Sequence, residues 1–234
     1  MTEAVSVQLQ LTQIPDRILG LAIAALHQAN THAVFMDPGN EHWSLMSVLN
    51  TAHAGELFIK SIIANVHPLL VFKKVDPSAI PTDETEIATL LSTGMTHNFE
   101  KLPSVLLATT GISVPDLALF ERLRKARNSI QHFCPPDGEE DPSALSLEFI
   151  YSIIDPLIHA QFGLFAIEYH EDHNVSYDYV VGTLLRRQIR FSVPEDFAVT
   201  EVELEEEIDG ASESYKAWFR LELQRIGKAD LITF

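Results

Sequence analysis

Apolar residues recur at the helical period through most of this chain, and that periodicity limits it to an architecture of packed helices. Ile18, Leu19, Ala22, Ala25 and Leu26 share one side of a helix expected from near Pro15 to Phe35. After an Asp37-Pro38-Gly39-Asn40 turn, a long second helix is expected from about Glu41 to Val66. His67-Pro68 closes it, because the residue before proline disfavours helix. Pro77 and Pro81 bracket a loop, and a short helix is expected over Asp83–Leu91. Another covers Asn98–Thr109, with Gly111 as its stop. Ser113-Val114-Pro115-Asp116 has the spacing of a capping box, which opens a helix reaching to Phe133. Pro135-Pro136 ends that helix. Ser143–Tyr169 carries the last strong helical pattern, with a bend expected at Pro156. Farther on, Val180–Phe191 fits helix or strand, Phe197–Leu204 alternates like a strand, and Tyr215–Ile226 is amphipathic. The expected fold is mainly all-α: an up-and-down antiparallel bundle over residues 1–175, followed by a mixed α/β acidic extension over 176–234.

The 234 residues, 46% of them hydrophobic, are ample for a packed core. No apolar run reaches the length of a membrane span, so no membrane partner is expected. The start, MTEAVSVQLQ, lacks the basic opening of a signal peptide. A single cysteine, Cys134, cannot form an internal disulfide, and a cytoplasmic location fits best.

The net charge of −17 argues against a broad nucleic-acid-binding surface. The charge is uneven, however. Residues 195–213 hold nine acids and no base, and this stretch is either simply solvated or an autoinhibitory or partner-binding element that covers the basic motif helix. Ser113–Phe133 has a local balance of +2, from Arg122, Arg124, Lys125 and Arg127 against Asp116 and Glu121. Any RNA contact is therefore expected to be small and local.

That basic segment contains Arg127-Asn128-Ser129-Ile130-Gln131-His132. A guanidinium is a permanent cation with a forked donor edge suited to phosphate. An imidazole is suited to proton transfer near neutral pH. Asn128 and His132, four apart, share a helix face, so the amide can orient the ring. Arg127 and His132 lie about 140° apart around an ideal helix. A kink, or a second copy across a two-fold axis, would bring them together. On the long second helix Glu56 and Lys60 are an i, i+4 pair; Glu56 is expected to face the motif helix and tether Arg127. His170 and His173 flank two acids, but no further ligand cluster accompanies them, so no metal or other cofactor is expected.

Two blocks carry a resemblance to the HEPN domain family. One is Asn50-Thr51-Ala52-His53-Ala54-Gly55-Glu56-Leu57-Phe58-Ile59-Lys60-Ser61-Ile62, followed by His67-Pro68 and Leu70-Val71-Phe72. The other is Leu123–Phe133, which resembles the family's arginine–polar–three–histidine signature. Together they cover about residues 41–170. The resemblance implies a helical bundle that forms a homodimer through its motif helices, and a metal-independent endoribonuclease. Mapped onto this chain, Arg127 would hold the scissile phosphate, His132 would move protons and Asn128 would orient the site, with Arg124, Glu56 and Lys60 as supporting binding residues. Other members of the family are implied to be inert antitoxin-like, sensory or adaptor modules that bind a protein or a nucleotide. The chain departs from the pattern at Cys134, where toxin members of one branch carry tyrosine. It departs again at the acidic turn Asp137–Asp141, and after about residue 175.

Overall fold

The structure, a computed structural model, describes residues 11–74, 90, 93–132, 141–170 and 176–233. It is mainly helical, and no strand occurs among the described residues. The expected short helix at Asp83–Leu91 (Leu90 apart), the loop at Pro77 and Pro81, the Pro135-Pro136 stop, Cys134, His173 and most of the acidic turn lie outside the described residues.

Helix α1 (Ile14–Val34) and helix α2 (Trp43–Val66) form an antiparallel pair around the expected turn. Contacts at both ends fix the direction: Ser61 donates to the Pro15 carbonyl at 3.2 Å, and Asn50 meets His32 at 3.5 Å. Their interface is built from small residues (Ala22, Ala29 and Ala52 are fully buried), which lets the two backbones approach closely. A short 3-10 turn (Phe99–Lys101) leads into α3 (Leu102–Thr110). Gly111 closes α3 with φ +76, the left-handed stop that its sequence position implied.

Helix α4 (Leu117–Gln131) carries the arginine–histidine motif. Its cap differs from the one expected at Ser113. Val114 precedes a proline and is held out of helix. Asp116, with extended backbone, caps the helix itself by accepting from Leu119 N at 2.9 Å.

Helix α5 (Pro142–Phe149) runs without interruption into a π-helical turn (Ile150–Ile154) and then α6 (Asp155–Phe162). Pro156 explains the turn. It has no N–H for the carbonyl of Ser152, and the wider i→i+5 pattern absorbs the mismatch that was expected to bend the helix. The helix ends at Gly163 (φ +68), short of Tyr169. Residues 166–169 instead turn back and are held by Asn30, whose amide donates to the carbonyls of Ala166 (2.9 Å) and Tyr169 (2.7 Å) while its oxygen accepts from Tyr151 Oη (3.0 Å).

Helices α7 (Asp178–Arg186), α8 (Leu204–Ile208) and α9 (Glu213–Arg225) make up the rest. The expected strand at Phe197–Leu204 is absent; that segment is irregular and bends at Glu201-Val202 before α8 begins. Three of its backbone donors go to side chains rather than to a neighbouring strand. Thr200 N donates to Asp178 Oδ2 at 2.6 Å, Glu201 N donates to the same oxygen, and Ala198 N donates to Tyr177 Oη at 2.8 Å. The mixed α/β character expected of the extension is thus corrected to helix plus irregular chain tethered by side chains. Phe191, Phe197, Phe219 and Leu223 fall in one hydrophobic cluster with Leu26, Phe58 and Phe149, so both parts of the chain share a core.

Candidate functional site

Leu119, Phe120, Leu123 and Ala126 form the buried face of α4, which packs on α2 and α5. Arg127 and Asn128 follow Ala126 around the helix and lie at the edge of that face, half-buried. Across from them, the chain after α2 makes one antiparallel bridge, Phe72 with Thr96, supported by Lys73 N to Met95 O (2.8 Å) and His97 N to Val71 O (3.0 Å). This bridge delivers Thr96, Asn98 and Phe99 to the α2–α4 seam. Phe99 is buried and stacks on Phe120 with centroids 4.4 Å apart. The Arg127 guanidinium lies over the Phe99 ring, 5.6 Å from its centre.

Glu56 sits between two cations. One oxygen accepts from Lys60 at 2.6 Å, and the other is 3.8 Å from Arg127 Nη2, an ion-pair distance too long for a hydrogen bond. Lys60, only 7% exposed, also donates to Thr96 Oγ1 at 2.9 Å. The tight bond therefore goes to the buried lysine and the loose one to the arginine. Arg127 keeps most of its donor edge available toward a cleft of about 180 Å³ that it lines with Asn98, Phe99, Glu100, Arg124 and Asn128. Arg124 in turn is paired with Glu121 at 2.9 Å.

His132 lies elsewhere. It terminates α4, its backbone N–H donating to the carbonyls of Asn128 and Ser129 at 3.1 Å, and its side chain is exposed beyond the lining of the cleft. Within one chain the structure thus gathers Glu56, Lys60, Arg124, Arg127 and Asn128 but leaves His132 on the solvent stripe that also carries Glu121 and Lys125.

Thr96, Asn98 and Phe99 are site residues that the sequence reading missed, and the only signal they offered was a threonine and an asparagine ahead of a helix. His97 belongs with them. Burial, then the charges of Lys73 and Lys60, hold its imidazole below the ordinary 6.5, so it stays neutral more readily than a free histidine.

The acidic stretch 195–213 makes contacts with α7 and the chain end. Glu207 pairs with Arg186, and Glu205 accepts from Thr233 N and Oγ1. Those two hydrogen bonds hold the Glu205 carboxyl below the usual range. Among the described residues no cluster of three or more His, Cys, Asp or Glu could hold a metal ion, and no helix is long and apolar enough to cross a membrane.

No family model matches the chain, and neither a curated protein nor a solved structure matches it.

Proposed function

We propose that the protein is a HEPN-like, metal-independent endoribonuclease that works as a homodimer with α4 at the subunit interface. The observation that supports this most is the slack ion pair at Arg127. A guanidinium fixed on an aromatic face, 3.8 Å from its carboxylate and open to a cleft with Arg124 and Asn128, is placed to exchange that carboxylate for a phosphate. In the reaction His132 takes the proton of a ribose 2′-OH. The 2′-oxygen attacks the adjacent phosphorus, charge builds on the phosphoryl oxygens beside Arg127, and the 5′-oxygen leaves with a proton from water, after which His132 returns its own proton to solvent. The products are a 2′,3′-cyclic phosphate and a 5′-hydroxyl end. His132, about 140° around α4 from Arg127, serves the partner's arginine, and Asn128 orients the ring.

The test is incubation of the purified protein with RNA in EDTA. Cleavage by the wild type is expected to fall by about a hundredfold or more in His132→Ala and in Arg127→Ala. Absence of cleavage, or cleavage that survives His132→Ala, overturns the reading.

A second reading is a non-catalytic HEPN-like module that binds a protein or nucleotide. One observation favours it: a single chain keeps His132 away from the cleft at Arg127. It is abandoned if expressing the wild type, but not Arg127→Ala, arrests growth.

A further inference from the structure

On the opposite side of α5 from the α2–α5 contact, the turn that ends α7 closes over Ala144, Glu148 and Ser152 and forms a cleft of about 570 Å³. Its other wall is Arg187, Gln188, Ile189 and Arg190. The volume falls in the range of small-ligand sites, and the lining is polar and cationic.

The turn that supplies the arginines is built at a cost. Ile189 N bonds the Leu184 carbonyl at 3.0 Å and Gln188 N bonds the Leu185 carbonyl at 3.1 Å, the paired closure of a helix that ends in a left-handed residue. That residue is ordinarily glycine; here it is Gln188, with φ +54. Its side-chain oxygen accepts from Ser212 N at 3.0 Å, which ties the turn to the start of α9. A glycine would relieve the backbone but lose this tie.

The two cations are held differently. Arg187 reaches back to Asp141 at 3.1 Å, with both side chains partly exposed, an ion pair that an incoming anion can replace at small cost. Arg190 is exposed and pairs with no carboxylate among the described residues; its guanidinium lies 5.7 Å from the Trp218 ring centre. That contact orients the planar cation without neutralising it. The carboxylate that would oppose an anion, Glu148, is already paired with Arg122 at 3.2 Å. Ser152 and the Gln188 amide supply neutral hydrogen-bonding groups, and Ala144 and Ile189 an apolar wall.

From this we infer that the cleft binds a phosphate group carried on a polar organic body, a nucleotide either free or at the end of a strand, with Arg187 and Arg190 taking the phosphate oxygens. The inference does not rest on the ribonuclease reading. The site uses none of Arg127, Asn128 or His132, and it lies on the part of the chain beyond the motif helix.

Trp218 beneath Arg190 provides the readout. In the full chain carrying Trp43→Phe, Trp218 is the sole tryptophan, and its emission is followed during titration with ADP and, separately, with a 5′-phosphorylated DNA hexanucleotide. The DNA lacks a 2′-OH and so stays intact whatever nuclease activity the protein has. A saturable change with either probe is expected, with affinity falling about tenfold or more in Arg190→Gln and in Arg187→Gln and unchanged in Arg17→Gln, a charge-matched control outside the cleft. Saturation by ADP identifies a free nucleotide as the ligand, and saturation by the hexanucleotide alone identifies a strand end. Thermal melting confirms that each variant is folded, and either arginine variant suffices if the other is not. No saturable change with either probe, or equal loss in Arg17→Gln, overturns the inference.

Discussion

The α2–α4 seam and the attachment of the C-terminal segment both depend on carboxylates, and they use them in opposite ways. At the seam, Glu56 faces two cations and satisfies one of them loosely, at 3.8 Å. At the attachment, Asp155 and Asp178 are essentially unexposed and accept from backbone N–H groups far along the chain: Asp155 from Ala166 (2.9 Å) and Ser192 (2.6 Å), Asp178 from Thr200 (2.6 Å) and Glu201. A partly exposed acid beside a cation can change partners; a buried acid holding main-chain donors cannot without unfolding its surroundings. In a chain so rich in acids, what decides an acid's role is the kind of donor it meets and the water it retains, not its sign.

The contrast breaks most visibly at Asp155. Asp155→Ala is expected to cost about 3 kcal/mol, because the buried Ala166 N–H and the half-buried Ser192 N–H lose their acceptor; urea unfolding at constant m-value measures it. Asp155→Asn keeps one acceptor oxygen and should cost less. A loss under about 1 kcal/mol for the alanine variant would make the attachment as slack as the seam.

Gly55 comes next. A Cβ there would lie 2.9 Å from Phe149 Cε1, so Gly55→Ala is expected to cost about 2 kcal/mol as α2 and α5 are wedged apart. Adding Phe149→Leu should recover much of it; simple additivity of the two losses would show that the close approach is not what selects glycine.

Glu56→Gln is expected to cost about 1–2 kcal/mol, through Lys60, which is left nearly buried without its carboxylate. If the seam is a working site, the same variant alters RNA cleavage by more than its stability loss accounts for, read as activity at a temperature where both proteins are fully folded.

The smallest effects are those of pH. Burial raises Asp155 above its ordinary 3.8, against the lowering by its bonds to Ala166 and Ser192. The folded protein then holds that proton more tightly than the unfolded chain. The associated stability is fully present below 3.8 and is lost as pH rises through the raised folded value. The stability difference between wild type and Asp155→Asn should therefore shrink over that window and level off above it. His97 has the reverse sign. Its folded value lies below 6.5, so its contribution is present above 6.5 and is lost as pH falls through the folded value. His97→Gln should flatten that slope in the same unfolding series.

Local signals were legible in the sequence and long-range ones were not. The long helices α1, α2 and α4 follow from apolar spacing, and His67-Pro68 marks the end of α2 as Gly111 marks that of α3, because those causes act within a turn or two. The contact between Glu56 and Arg127 was also within reach, as both lie on strongly patterned helices whose apolar faces must meet. What escaped depends on partners distant in sequence. Phe197–Leu204 alternates like a strand, yet Asp178 and Tyr177 take its donors first. Thr96 and Phe99 enter the site through a single bridge to Phe72, which no local pattern announces. The shift of the cap from Ser113 to Asp116 has a local cause, the restriction that Pro115 places on Val114.

The π-helical turn at Ile150–Ile154 amounts to one surplus residue spliced into an otherwise regular rod. Everything after it is rotated by about 100° relative to an unbroken α-helix. Upstream, Phe149 points at Gly55; downstream, Asp155 reaches the amides of Ala166 and Ser192. Excising a single residue from the turn would return the rod to one register yet swing Asp155 off its anchors, so the irregularity acts as the key that aligns two faces no uniform helix could serve at once.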